Sequence, residues 1–405
     1  MKYDFDHELC RFGTYSMKWD DDAFFKAITP NLRLDKDTIR LSLADMDFRT
    51  APAVVRAMHR VADFENYGYV TANSAPEYKP AIIGWYQRRH GVTIRPEWII
   101  HSNGALDGVE QTILAFSNPG EGIILCRPIY RNFTSVIERT GRHVANCQMV
   151  NHGNGAYEMD WAQLEESCAQ PENKVFVLCS PQNPVGRVWT KEELAKIAEI
   201  CRKNGVVLVS DEIHSDIIRK GVKHTPIIDA VEDLSNIIMV SGVNKTFNLM
   251  GLHCAYSVIP DETLRKKFQN NYEPAMPTAF ALAGMIAAYN EGEDWVDELN
   301  EYLDDSITAA VEYMKEKLPK VKAYVPEGSY VLWLDFADYN YDAETLQYLI
   351  NQKANVMLQR GAAHDPEHGN GFMRLCATCS KATLKEAIDR MANAFAEYET
   401  QHLPK

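Results

Sequence analysis

No apolar run of the roughly 18 residues that a spanning helix needs occurs anywhere in the chain. The N-terminal stretch MKYDFDHELCRFGTYSMKWDDD is acidic and lacks the apolar centre of a secretory signal. Positive charge is also in deficit. There are 42 Lys and Arg against 56 Asp and Glu, a formal net charge of −14. That balance argues against a nucleic-acid surface but leaves room for a local cationic pocket holding a small anion. A second cysteine pair that would complete a zinc site is missing too. The nine cysteines are an odd number and scatter through apolar segments. The close pair Cys376 and Cys379, in LCATCSK, has no second pair to complete a zinc site and reads as structural. With no signal segment, the expectation is reduced thiols in a cytoplasm. No repeat, low-complexity tract or flexible linker is visible.

What is present is an ordinary globular composition. The 405 residues suffice for one large domain and a smaller one, or for two comparable ones. From about residue 96 apolar runs and amphipathic runs alternate. WIIHS, GIILC, HVANCQMV, KVFVLC, VVLVS and IIMVS read as strands. ALDGVEQTILAFS, RNFTSVIERT and TKEELAKIAEICRKNG read as helices. In the last, Thr190 and Glu193 predict a capping box, and Asn204-Gly205 a stop. DWAQLEESC predicts a second box, Asp160 with Gln163. Buried strands alternating with helices imply a mostly parallel sheet covered on both faces. From about residue 293 a long charged helix, to roughly 318, leads into strands (VKAYV, SYVLWLDF) and helices (AETLQYLINQ and KATLKEAIDRMANAFAEYE). A smaller α+β domain is expected there, joined by the N-terminal segment.

Ligands of open parallel sheets bind beyond the carboxyl ends of the strands. Polar residues collect at those ends. KVFVLC runs into SPQNPVG with Asn183, VVLVS into DEIHSD with Asp211 and His214, and IIMVS into GVNK with Lys245. WIIHS runs into NGALDG, a glycine turn whose helix start offers free N–H groups to a phosphate. Singly, each group has an ordinary reading: Asp211 as a turn acid, Asn183 as a turn residue, His214 as a core histidine, Lys245 as a solvated loop residue. Together they match the needs of pyridoxal phosphate. A lysine forms a Schiff base with its aldehyde, a carboxylate keeps the pyridine nitrogen protonated, and an amide addresses the phenolic oxygen. A lysine serving as a base requires a lowered ammonium pKa.

The order and spacing of SPQNPVG, SDEIH and NKTFN resemble the aspartate-aminotransferase fold, fold type I of the pyridoxal-phosphate enzymes. Asp211 follows Asn183 by 28 residues, and Lys245 follows Asp211 by 34. LADMDF (43–48), YGY (67–69), KTFNLMGL (245–252), GSYVLWLDF (328–336) and GNGFMRL (369–375) bring the resemblance closer to the MalY/PatB-type, cystathionine β-lyase-like branch. It covers nearly the whole chain. It implies an α/β large domain at 48–290 with a mostly parallel seven-stranded sheet between helices. A small α+β domain would comprise 1–47 plus 291–405. It implies that Lys245 carries the cofactor and moves the proton. Asp211 would pair with the pyridine nitrogen, and Asn183 would contact the phenolic oxygen and the substrate carboxylate. His214 would take the position of a tyrosine in aminotransferases. Tyr130 would stack on the ring. Gly104, Ala105 and Leu106 would form the phosphate loop, with Asn244 beside it. Arg374 would grip the substrate α-carboxylate through its planar fork. Tyr69 would reach the phosphate of a neighbouring subunit, which implies a homodimer.

The chain departs from that branch at several positions. Asn244 replaces a usual serine, His253 falls where the wider fold often has a phosphate-binding arginine, and Arg131 follows Tyr130 where several lyases have a second tyrosine. CATCSK also differs from the usual residues after the arginine strand. The implied reaction is β-elimination from a sulfur amino acid. Lys245 removes the Cα proton, the Cβ–S bond breaks, and a thiol, pyruvate and ammonia leave. An aminotransferase on the same scaffold and a protein-binding regulatory role remain as other readings. His364 and His368, in HDPEH, invite a metal reading, but a proline loop beside glycines suits a lid or rim better.

Overall fold

The computed structural model describes residues 1–402 apart from residues 8, 30 and 273–275. Seven strands form the central sheet: β1 (Ile99–Ser102), β2 (Gly122–Leu125), β3 (His143–Asn146), β4 (Asn173–Cys179), β5 (Val207–Asp211), β6 (Ile237–Gly242) and β7 (Ala255–Val258). Their spatial order is β1-β7-β6-β5-β4-β2-β3. All neighbouring pairs are parallel except those of β7, which runs against both β1 and β6. The expected mostly parallel, seven-stranded sheet is therefore present, and β1 to β6 end on one edge.

Both faces of the sheet are buried, which explains the continuous apolar runs. Alternate residues of each strand enter different cores. Ile124, Phe176, Leu178, Leu208 and Met239 face one core. Ile123, Val175, Val177, Val209 and Val240 face the other. That second core is closed by α1 (Ala105–Phe116) through Val109 and Ile113, and by α2 (Arg131–Arg139) through Phe133, Val136 and Ile137. Each such side chain contributes about 1.5–3 kcal/mol by leaving water. α1 lies so close to the sheet that a Cβ on Gly108 would meet Ser257 Oγ at 2.8 Å and Val240 Cγ1 at 2.9 Å.

The opposite face is covered by helices that include α3 (Trp161–Ala169) and α4 (Lys191–Lys203). The Thr190–Glu193 capping box of α4 forms in full. The one expected at α3 does not. Asp160 accepts from Gln163 N, but the Gln163 side chain instead accepts from the backbone N–H of Gln148. The carboxyl-terminal part adds a three-stranded antiparallel sheet, in which β10 (Phe372–Cys376) lies between β8 (Val331–Asp335) and β9 (Gln359–Arg360). Two long helices, α5 (Glu293–Lys317) and α6 (Lys381–His402), pack beside it. Ile39–Arg40 pairs in parallel with Val356–Met357, so the N-terminal segment joins this part of the chain. VKAYV is not a strand. Lys322 makes a single bridge to Asp335, and the segment otherwise runs extended without a ladder. AETLQYLINQ is helical but widens into a π-helical turn at Tyr348–Lys353. No helix is long and apolar enough to cross a membrane among the described residues.

Candidate active site

At the edge where the six parallel strands end, a cavity of about 180 Å³ is lined by Gly104, Ala105, Leu106, Tyr130, Asn183, Asp211, His214, Asn244, Lys245 and Arg374. Leu43, Ala44, Cys179, Ile213 and Met250 complete its wall. The structure thus brings together every site residue expected from the sequence except Tyr69, which is 97% exposed and outside the wall. Larger hollows lie beside Arg187 and Tyr324 and beside Arg219 and Asp304. Their arginines face carboxylates, Glu193 and Asp304, and they gather no comparable set of groups.

Lys245 sits in a single helical turn, Val243–Thr246, that follows β6 directly. The turn is anchored from behind, because Thr246 Oγ1 donates to the buried Asp216 at 3.0 Å. Lys245 Nζ donates to the Ala44 carbonyl at 2.7 Å. Burial pushes its ammonium down to about 8, with Arg374 acting in the same direction and Asp211 and Asp45 opposing. The lowered pKa that a lysine base requires is therefore in place.

Asp211 ends β5 and is 5% exposed. Its carboxylate accepts from the backbone N–H of Ile213 at 3.1 Å. That one bond does not offset desolvation, and the carboxyl is pushed up to about 7. Asn183 and Arg374 meet nearby, with Arg374 Nη1 3.4 Å from Asn183 Oδ1. The other arm of Arg374 donates to the Ser42 carbonyl at 2.8 Å, and its Nε is buried without a partner. His214 is buried beside Ser329 Oγ, 3.1 Å from Nδ1, and stands edge-on to Tyr330. Desolvation, with Lys245 and Arg374 close by, holds it well below the usual imidazole range.

The Tyr130 hydroxyl accepts from Asn132 Nδ2 at 2.7 Å. Gly104 opens α1 with extended backbone, and no side chain caps the helix start. Asp107, in its first turn, is occupied by Tyr272 Oη at 2.6 Å and Asn103 N at 3.1 Å. Asn244 is buried with its Oδ1 unpartnered. His253 is exposed and outside the cavity wall. His364 is buried, bonded to the Ile129 carbonyl at 2.9 Å and to Gln359, whereas His368 reaches outward. No metal-ligating group of three or more His, Cys, Asp and Glu occurs among the described residues.

Sequence reasoning missed the part played by Leu43 and Ala44. LADMDF forms one wall of the cavity and is clamped from outside. Arg11 Nη1 contacts Asp45 at 2.8 Å and Asp47 at 2.9 Å, and Lys18 Nζ contacts Asp47 at 2.6 Å. The two acids of LADMDF were a signal that bases must answer them. Nothing in the order of residues said which bases.

The sequence pattern of aminotransferase class I and II matches residues 36–391. Cystathionine beta-lyase PatB of Bacillus subtilis (strain 168) is 37% identical over 397 residues, covering 97% of this chain and 100% of its own. Protein MalY of Escherichia coli (strain K12) is 30% identical over 398 residues, covering 97% and 98%. Among solved structures, the PLP-bound C-S lyase from Staphylococcus hominis, complexed with the inhibitor L-cycloserine, superposes with a TM-score of 0.90. It is 28% identical, and the match covers 97% of this chain and 98% of that one. With nearly its whole length so matched, the chain belongs to the aminotransferase class I and II family.

Proposed function

We propose that this protein is a pyridoxal-phosphate-dependent carbon–sulfur β-lyase, cleaving cystathionine or related cysteine S-conjugates to a thiol, pyruvate and ammonia. The observation that carries this reading is a half-buried lysine and a buried carboxylate, each short of a charged partner, facing one cavity beside Arg374 and Asn183. The similarity to PatB, named a cystathionine beta-lyase, supports it.

The residues fit the cofactor. Asp211 lacks the cation that would keep it ionised at neutral pH, and a protonated pyridine nitrogen is such a cation. The uncapped start of α1 offers free N–H groups that suit the phosphate. Bound there, pyridoxal phosphate supplies an aldehyde for Schiff-base chemistry and a ring that takes up the electron pair of a substrate Cα–H bond. Lys245, with its pKa near 8, is the base that takes the Cα proton and can return it. General acid–base help of this kind is typically worth about 10²–10⁴-fold. Arg374 and Asn183 would orient the substrate α-carboxylate, and Tyr130 and His214 would help hold the cofactor ring. Neutral His214 adds no charge to compete with Lys245.

Three finer readings belong here. Tyr69, so exposed in one chain, completes the phosphate site of a second copy, making the enzyme a homodimer. Residues 48–290 form the large domain, and 1–47 with 291–405 the small one. The nine free cysteines fit a cytoplasmic protein. The test is pyruvate and thiol release from cystathionine with no keto acid present. Product formation that depends wholly on an added keto acid would overturn the lyase in favour of an aminotransferase.

A further inference from the structure

Arg131 opens α2 directly after Tyr130, a residue of the cavity wall. It is half-buried, yet its guanidinium makes no hydrogen bond or ion pair with any described residue. Arg139, at the other end of the same helix, is paired with Glu110. Arg374, inside the cavity, is bonded to Ser42 and Asn183. A partly desolvated guanidinium without an acceptor is unfavourable, because its five donors seek carboxylate or carbonyl oxygen.

The surroundings keep Arg131 on the side of the site. The backbone N–H of Ile129 donates to the His364 carbonyl at 3.1 Å, and His364 Nδ1 lies 2.9 Å from the Ile129 carbonyl. The 361–369 segment is thereby fixed against the segment that carries Tyr130 and Arg131. Tyr130 and His364 each feel the charge of both Arg131 and Arg374. Arg374 thus lines the cavity, and Arg131, outside its lining, follows directly on the wall residue Tyr130, in a chain whose net charge is −14.

We propose that Arg131 is a specificity-determining residue that binds a carboxylate at the far end of the substituent on sulfur. The preferred substrates then carry an acid group on each side of the sulfur, as cystathionine does. This rests on the lyase reading above. Arg374 takes the α-carboxylate and Arg131 the distal one, held by charge-assisted hydrogen bonds to its planar fork. Arg131 acts on binding of the leaving thiol portion and takes no part in proton transfer.

The test uses the cofactor-loaded enzyme and two near-isosteric substrates, S-(2-carboxyethyl)-L-cysteine and its carboxamide. Wild type should favour the acid over the amide by about tenfold in kcat/KM, the scale of one charge-assisted hydrogen bond. Arg131→Met should lose that preference through a higher KM for the acid alone, and Arg131→Lys should keep part of it. Arg139→Met, at the far end of the helix, should change neither substrate. Equal use of acid and amide by wild type, or an equal loss on both in Arg131→Met, would overturn the proposal. The Lys245→Ala protein, titrated calorimetrically with both compounds, reports the same ratio as dissociation constants. If wild type releases pyruvate from neither compound, the lyase reading fails, and the ratio of those constants still decides Arg131.

Discussion

Lys18 is a buried amine and Lys245 a half-buried one, and the fold treats them oppositely. Lys18 is fully buried and meets Asp47 at 2.6 Å and the Asp45 carbonyl at 3.2 Å. Lys245 is given only a backbone carbonyl. The same contrast divides the acids. Asp47 collects Arg11, Lys18 and the indole N–H of Trp19, whereas Asp211 has one backbone N–H and is pushed up to about 7. Charges that hold the LADMDF wall in place are neutralised at contact distance. Charges at the cavity are left short of partners, where a ligand supplies what the protein withholds.

The sharpest way to break this contrast is Lys245→Ala, which should lower pyruvate release by roughly 10²–10⁴-fold, read in a coupled assay. Asp47→Asn attacks the opposite member. It leaves the buried Lys18 without its anion, while Arg11 keeps Asp45, and should cost about 3–5 kcal/mol of unfolding free energy in urea titration. The double change Lys18→Met with Asp47→Leu should recover much of that loss, because both charges go together.

Asp211→Asn should separate function from stability. The ordinary aspartate pKa is 3.8 and the folded value about 7, so Asp211 favours folding while protonated. That contribution is full below 3.8 and lost as pH rises to about 7. The cofactor-free Asn variant should therefore match wild type in acid and exceed it above neutrality, by on the order of 3 kcal/mol, while pyruvate release collapses. Lys245 works in another window. Its pKa is depressed from 10.5 to about 8, so cofactor-free protein should regain stability as pH rises through that interval. Thr190→Ala, at the cap of α4 and remote from both clusters, sets the baseline: a loss of about 1 kcal/mol with unchanged kcat.

Much of this was legible because it is local. Strands buried on both faces announce themselves as continuous apolar runs, and the Thr190–Glu193 box needs only two residues three apart. Lys245, Asp211 and Asn183 stood out because each follows an apolar strand at the same sheet edge. The clamp on LADMDF was not legible, since Arg11 and Lys18 meet Asp45 and Asp47 only after folding. The Asp160 box failed for a similar reason: Gln163 was taken by Gln148, a partner on the neighbouring β3 extension. VKAYV has a strand's composition, but the fold provides only one bridge for it. The antiparallel entry of β7 is set by its placement between β1 and β6, which its own residues do not record.

The Ala44 carbonyl, the Lys245 amine and the Arg374 guanidinium come from the beginning, middle and end of the chain. A nascent polypeptide still missing its last stretch on the ribosome therefore has no working site, however well its sheet has formed. The cavity needs all three, so a product cut short before residue 374 holds the lysine without the guanidinium beside it.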